Sequence, residues 1–506
     1  MPRYPMNPKI SVSVVYVAAM FMSIMDITIV NVALPAIGRQ FHEATAALDS
    51  VAVGYLVSLA VFIPAAGWLG DRFGSKRILL LAVAIFTGAS VLCGLADSLS
   101  QLVLFRVIQG VGGGMMTPVG MAMLFRAFPP AERVRASSIL VVPTALAPAL
   151  GPVLGGLLVT ELSWRWVFFV NLPFGIVAIL FGLLFLEENR QPHPGAFDLP
   201  GFLLAGVGFA LVMFGVSEGP DKGWGSTEIL GSIALGTVLL AVMVWVELRT
   251  SAPILKLRLF GNRLFRSTSL VLMVGMAAFL GVLFVVPLFF QIALGLSALQ
   301  SGLNTFPEAI GVMVGAQLAS RLFYPRVGPR RLVSTALVGV AGVMSLMTLV
   351  GFDTNMWWMR VLMFGLGLIM SQVFVSCQAA AFATISLPDT GSASSLFNSG
   401  RQLGSALGVA VLATVLAAVG TTHEVVGRTV PNLAAYHAAF LTAAGISLVA
   451  SAIALTIRDA DAANTMVRRG RRRREPRWPR RRSPPRRPPA EDDVPVGTRQ
   501  RCAILA

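Results

Sequence analysis

The sequence predicts an all-α polytopic membrane protein with fourteen transmembrane helices. Three observations predict it. Hydrophobic residues fill 55% of the 506 positions and charged residues only 13%, against about 45–50% and about 25% in ordinary soluble domains. A soluble fold has too much surface to hide that excess. The apolar residues also fall into runs near the roughly 20 residues that a bilayer core requires, and basic residues are dense in alternate connections. The composition excludes disorder, a collagen-like repeat and a disulfide scaffold for the chain as a whole.

Taken in order, the spans are expected at 10–35, 49–69, 78–96, 102–125, 136–159 and 166–186, then 199–217 and 228–248, then 267–290, 302–323, 332–351, 357–380, 394–419 and 436–457. Short connections separate most of them, punctuated by breakers such as Pro129 with Pro130, Gly219 with Pro220, and Pro388 with Asp389. The first span is too long for a cleaved signal peptide, carries Asp26 and lacks a small-x-small cleavage pattern.

With the N-terminus placed inside, the cytoplasmic connections carry eighteen Lys plus Arg without the tail, against four outside, and three lie within spans: Arg106, Arg360 and Arg401. The positive-inside rule then fixes the orientation, and an even number of spans returns the C-terminus to the cytoplasm. The expected setting is the cytoplasmic (inner) membrane, multi-pass, with both termini cytoplasmic. The net charge of +16 is concentrated in Arg458–Ala506, where fifteen Arg face six acids. Arg468–Pro489 is rich in Arg and Pro and is expected to be disordered. It either contacts anionic lipid headgroups or is a dispensable solvated tail; nucleic acid is not expected as a partner. Cys93 and Cys377 sit in apolar runs, Cys502 is near the C-terminus, and only four His are present. With no CxxC pair, neither disulfide nor metal site nor cofactor is expected.

The two ends of the chain resemble each other. Asp71–Leu79 aligns with Pro325–Leu332, Arg72 falling on Arg326, and Arg106 aligns with Arg360, both at an offset of 254. Ala136 followed by Ala149–Gly151 aligns with Ala393 followed by Ala406–Gly408, at 257. The reading is two parallel six-span halves about an axis along the membrane normal. The domain plan is a cytoplasmic N-terminus (1–9), a first six-helix bundle (10–186), a central two-helix insertion (199–248), a second six-helix bundle (267–457) and the basic tail (458–506).

Five motifs in order carry a family resemblance: "MDITIVNVALP" in span 1, "GWLGDRFGSKR" after span 2, "RVIQGVGGGMMTP" in span 4, "GPVLGG" in span 5 and "WRWVFFVNLPFG" at span 6. Together they make the chain resemble the fourteen-span drug/proton antiporters of the major facilitator superfamily, from Met6 to Arg458. The resemblance implies the major facilitator fold and proton-coupled efflux of lipophilic, often cationic small molecules by alternating access, with small-molecule substrate, protons and membrane lipids as partners and a monomer as the expected state. Two departures stand out. Ala147 and Pro143 occupy positions where the span-5 motif usually has glycines, and Pro325 stands in the second half where Asp71 stands in the first.

Asp26 and Glu308 are the acids well inside spans. A carboxylate at a helix centre costs about 2.5–3.5 kcal/mol on insertion scales, which makes each a functional candidate. Asp26 is read as the proton site, or else as a polar contact between helices. Glu308 is either a second proton-binding or cation-attracting group, or a wetted carboxylate near the outer mouth. Thr28, Asn31 and Pro35 share a face, and Pro35 frees the Asn31 carbonyl; Thr28 and Asn31 are expected to line the substrate cavity. Arg106, with Gln109 and Gly113 on one stripe of span 4, needs a partner because a guanidinium stays charged; the resemblance implies that Arg106 couples proton release to conformational change, or it snorkels from a helix end. Gln109, Gly113, Arg401 and Gln402 complete the expected cavity set. For gating, Asp71 could cap a helix of the other half, with Arg72, Gly74 and Arg77 in the same loop. Gly151, Pro152, Gly155 and Gly156 would form either a contact that opens and closes between halves, as the resemblance implies, or plain tight packing. No Walker A, HExxH or GxSxG sequence is present, so ATP-driven export and hydrolysis are not supported and an enzyme is not expected. A transporter of an endogenous metabolite or lipid, and a non-transporting sensor, remain alternatives.

Overall fold

The computed structural model describes residues 6–43, 45–191, 195–250, 253–425 and 428–466. The predicted tail beyond Met466 lies outside the described residues. Among the described residues the regular structure is helical apart from one hairpin, β1 (Thr422–Val425) with β2 (Arg428–Pro431), antiparallel.

Fourteen long helices follow one another among the described residues: α1 Pro8–Phe41, α2 Thr45–Phe73, α3 Ser75–Gly94, α4 Leu99–Ala127, α5 Arg133–Glu161, α6 Trp166–Phe185, α7 Leu199–Lys222, α8 Thr227–Arg249, α9 Arg263–Leu288, α10 Ala298–Leu318, α11 Pro329–Leu346, α12 Met356–Ala381, α13 Thr390–Val419 and α14 Leu433–Ala454. Each overlaps its predicted span, and most run several residues further because a helix continues past the apolar core into the connection. All but α10 are long and apolar enough to cross a membrane; Gln300, Asn304, Glu308 and Gln317 dilute the apolar character of α10.

Helix ends need partners for their free N–H groups, all the more near lipid. Short polar side chains supply them: Asn7, Ser98, Ser226, Asn262 and Asn355 each accept from a backbone N–H in the first turn, and Ser297 with Gln300 forms a reciprocal capping box before α10. Exposed Leu, Val and Trp side chains cover α6 and α8, among them Val177, Leu180, Leu235, Val238 and Trp245. An apolar face of that kind is stable against lipid and not against water.

The predicted repeat is visible in the packing. Helices α1 and α5, α2 and α4, α3 and α4, α1 and α6, and α3 and α6 pack together; the same pairs recur eight helices later, as α9 with α13, α10 with α12, α11 with α12, α9 with α14, and α11 with α14. Between the halves α2 packs on α13 and α10 on α5, again equivalent pairs. The hairpin of α7 and α8 leans on both halves through contacts of α7 with α2 and α13. This is the major facilitator architecture with two extra central helices. The repeat extends to loop detail. Gly74 and Gly328 both take positive φ, 103° and 83°, the left-handed region that glycine enters freely. An acid from beyond the sixth helix of each half then caps the following helix: Glu188 Oε1 accepts from the Lys76 N–H at 3.0 Å, and Asp459 Oδ1 from the Arg330 N–H at 2.8 Å.

Candidate functional site

The first half holds a polar knot in its interior. Arg106 and Gln109 lie three residues apart on α4 and so share a face. Close approach brings them to the neighbouring helices: a Cβ on Gly114 would press on the Leu59 carbonyl of α2, and one on Gly112 would meet Ala82 and Phe86 of α3 at 2.6–3.0 Å. Asp26 of α1 is fully buried and Arg106 is 1% exposed. Arg106 Nη1 donates to Asp26 Oδ2 and, at 2.7 Å, to Gln109 Oε1, while its Nε donates to the Val51 carbonyl at 3.3 Å. Gln109 Nε2 and Asn171 Nδ2 of α6 both donate to Asp26 Oδ1, at 2.8 and 3.2 Å, and Asn171 Nδ2 also reaches Ser90 Oγ of α3 at 3.0 Å. The guanidinium stacks over the Tyr55 ring, 4.2 Å from its centroid, and Tyr55 is hydrogen-bonded to Ser23 at 3.1 Å. Four helices and the start of α6 thus meet around one carboxylate with its guanidinium. Buried charges are tolerable in this form, paired and with their remaining lone pairs occupied.

The structure departs from several sequence expectations here. Gln109 and Gly113 were expected on a cavity wall. Gln109 is instead bound into the knot, and a Cβ on Gly113 would meet the Tyr55 hydroxyl at 2.8 Å, so this stripe faces α2. Gly151 and Gly155 face α1 of their own half: a Cβ at Gly151 would overlap Thr28 Oγ1, and one at Gly155 would meet Ile29 and Val32 at 3.0–3.2 Å. They serve close α1–α5 packing rather than a contact between halves; Gly156 looks onto open space, and the Pro152 side chain lies outside the described residues. Thr28 is half-buried, its hydroxyl donating to the Met25 carbonyl at 3.0 Å, and Asn31 and Pro35 are exposed on α1. Arg106 is no snorkelling side chain. Glu308 is 8% exposed, its backbone is pressed on Gly367 of α12, and its carboxylate has no hydrogen-bond or ionic partner among the described residues. Arg401 and Gln402 are half-buried on α13.

At the end of the molecule that holds the 70–77 loop, the halves are latched. Asp71 Oδ1 accepts from Arg126 Nη2 at 2.6 Å, and Arg126 also donates to Ser75 Oγ at 3.1 Å and, across the halves, to the Leu387 carbonyl at 3.4 Å. The Asp71 carboxylate lies beside Gly391 in the first turn of α13, where a Cβ would meet it at 2.8–3.1 Å. The positive N-terminal end of that helix favours a carboxylate there, as the sequence suggests. Across the halves, Gly67 N–H donates to Ser395 Oγ at 2.9 Å, Arg133 donates to the Phe382 carbonyl and Phe125 stacks on Phe382 with centroids 4.4 Å apart; at the foot of α13, Lys256 of the connection between α8 and α9 pairs with Asp389 at 2.7 Å. Gly74 makes room for the Glu188 carboxylate. Arg77 reaches Glu188 at 3.7 Å within its own half, and Arg72 is exposed with no partner among the described residues.

Sequence reasoning missed Asn171, Ser90, Tyr55 and Arg126. Asn171 carried a readable signal, a buried amide in an apolar span inside a quoted motif. Ser90 and Tyr55 carried none, because serine and tyrosine are common in membrane helices.

A model of the Major Facilitator Superfamily matches residues 16–409 and again 326–495. The chain is 33% identical over 426 residues to a putative multidrug resistance protein MdtD of Serratia proteamaculans, covering 83% of this chain and 87% of that one. It is 32% identical over 411 residues to a multidrug resistance protein B homolog of Mycobacterium tuberculosis, covering 79% and 75%. Among solved structures it is similar to the human organic anion transporter MFSD10, with a TM-score of 0.64 at 17% identity, over 89% of this chain and all of that one, a likeness of fold. From the matching model, the relatives and the doubled six-helix packing it follows that the chain belongs to the Major Facilitator Superfamily and is a multi-pass membrane transporter of small molecules, not an enzyme.

Proposed function

We propose that the chain is a proton-coupled exporter of lipophilic small molecules, often cationic, across the cytoplasmic membrane, with both termini cytoplasmic. The observation that carries this reading is the pairing of Asp26 with Arg106 inside the first half. A buried pair can be neutral or broken only at a large cost: removing one partner leaves an uncompensated charge worth roughly 3–5 kcal/mol. A proton arriving at Asp26 cancels the attraction and leaves Arg106 with Gln109, the Val51 carbonyl and the Tyr55 ring, none of them charged. The helices α1, α4 and α6 then favour a different packing, and re-pairing follows when the proton leaves.

That switch needs a lever. The latch of Asp71, Arg126, Gly391 and Ser395 ties the two halves at the loop end. With this end cytoplasmic, as the excess of basic residues favours, the described state is closed towards the cytoplasm. Protonation of Asp26 biases the rocking of the first half against the second, and substrate enters the space between them from one side and leaves on the other. The names of the relatives, multidrug resistance proteins, support drugs as cargo.

The test is gradient-driven efflux of a lipophilic dye in everted membrane vesicles. Wild type should accumulate the dye when the interior is acidified, and Asp26→Asn at equal membrane expression should fall to background. Full activity of Asp26→Asn would remove the proton switch from this residue.

A further inference from the structure

The hairpin of α7 and α8 holds two acids at its foot that the export reading leaves unused. Asp198 is the residue before α7, and Glu247 lies in the last turn of α8. Asp198 Oδ1 accepts from the Gly201 N–H at 2.9 Å and so caps α7. Glu247 Oε1 accepts from the Leu255 N–H at 3.1 Å, in the connection that follows α8. Gly201 shows how close the two carboxylates stand: a Cβ there would overlap Asp198 Oδ2 and meet Glu247 Oε1 at 2.8 Å. Both acids are shielded from water. Asp198 is 8% exposed and Glu247 1%, with Ile254 and Leu255 of the connection also buried. The second oxygen of each, Asp198 Oδ2 and Glu247 Oε2, is buried with no hydrogen-bond partner among the described residues.

Two ionised carboxylates in that setting repel each other, and each orphan oxygen lacks the donor that water would supply. A cation would answer both, but those of the surrounding elements are engaged elsewhere or exposed. Arg249 of α8 stacks on the Trp245 ring, 4.1 Å from its centroid, and Arg258 donates to the Leu248 carbonyl at 3.2 Å. Lys256 pairs with Asp389 before α13, Arg126 of α4 holds Asp71 of α2, and Arg72 is exposed. A proton needs neither a cationic side chain nor a cavity. A protonated carboxyl gains an O–H donor, which the facing carboxylate can accept. We propose that Asp198 and Glu247 share one proton and form a proton-binding site at the foot of the hairpin, separate from Asp26. Neighbouring carboxyls that cannot both ionise titrate as a pair rather than singly. The shared proton ties α7 to α8 and, through Leu255, to the connection. When it leaves, the like charges drive the two helices apart at this end.

The site goes beyond the export reading and does not depend on it. Infrared difference spectroscopy of the purified full-length protein in phosphatidylcholine nanodiscs at neutral pH reads the proton directly. Wild type minus Glu247→Gln and wild type minus Asp198→Asn should each show the stretching band of one protonated carboxyl, shifted by deuterium exchange. The double variant should remove no more than either single one, and such complete non-additivity marks a proton held in common. Either amide can donate to the remaining carboxylate, which preserves the contact. A difference band with one variant alone assigns the proton to a single acid and overturns the sharing. No band with either variant means that both acids are ionised and overturns the site. A wild type without any protonated-carboxyl band does so before a variant is made. Spin labels at Leu199 and Leu248, both exposed, report the consequence. Their dipolar broadening should weaken reversibly in wild type as the pH is raised above neutrality and stay constant in Glu247→Gln. Broadening that changes equally in both proteins, or in neither, overturns the tie between the helices.

Discussion

The two halves share one packing plan and differ in the chemistry they place on it. Arg106 of α4 and Arg360 of α12 sit 254 positions apart, each reaching towards the helix two places earlier: Arg106 to the Val51 carbonyl of α2, Arg360 to Asn304 Oδ1 of α10 at 2.7 Å. There the likeness stops. Arg106 is sealed in with Asp26, whereas Arg360 is half-buried, stacked 4.7 Å from the Trp357 centroid, and has no acid paired with it among the described residues. Where the first half gathers Asp26, Ser90 and Asn171 around α1, the second packs aromatic rings around α9, with Phe289 against Tyr436 and Phe440. The glycine turns and acid caps at Gly74 and Gly328 are kept in both halves. The features that shape the helices are duplicated, and the buried ion pair is not. Under the proposed mechanism, Asp26 with Arg106 makes the first half the one that answers the proton.

The largest expected effect breaks that difference directly. Arg106→Gln leaves Asp26 without its cation and should lower transport about 100-fold or more, consistent with roughly 3–5 kcal/mol for a broken buried pair. Arg360→Gln loses one hydrogen bond and a stacked contact at a partly exposed site, about 0.5–1.5 kcal/mol, and should cost only a few-fold. Both are read in the same vesicle assay at matched expression. Equal losses would mean that the halves share the coupling.

The second effect concerns the latch. Gly391→Ala places a methyl group against the Asp71 carboxylate, 2.8 Å from Oδ2, so the carboxylate must give up this place beside α13 and the latch loosens. Spin labels on Arg72 and Leu387, both exposed, should show a longer inter-label distance in this variant by double electron–electron resonance. Gly88→Ala, where a Cβ meets nothing within 4 Å, is the control and should leave the distance unchanged. If the Gly391→Ala distances match wild type, the loop end is held by something other than this contact.

Much of this was legible in the sequence. Fourteen spans could be read because lipid demands long apolar runs, and Asp26 and Arg106 stood out because charge inside such a run is rare. The repeat was legible through Arg72, Arg106 and their counterparts. What could not be read was direction. Gly151 and Gly155 could face either half, and only the packed helices show them against Thr28 and Ile29. Gln109 sits on a polar stripe that would suit a cavity equally well, and its placement follows from where α1 and α6 cross α4. Arg126 lay among loop cations, its partnership with Asp71 hidden because the two are 55 positions apart.

The smallest expected effect sharpens the comparison by separating the latch from the knot as a source of pH dependence. Burial opposes ionisation of Asp389, but hydrogen bonds from Lys256 and Ser386 and the Lys256 charge outweigh it and hold the carboxyl below the usual aspartate range. A lowered carboxyl contributes its stability above the ordinary aspartate value and loses it only as pH falls through the lowered one. The Lys256–Asp389 pair should therefore be constant from about pH 8 down to about pH 5 and weaken only below. Both partners are partly exposed, so Lys256→Ala should reduce the closed population only slightly, by the modest amount typical of such pairs. The same spin-label distance followed against pH measures it. A wild-type closed population that is flat above about pH 5, beside transport that changes steeply over the same interval, would place the proton response in the buried groups of the first half. A closed population that itself titrates near neutrality would assign that response to the latch.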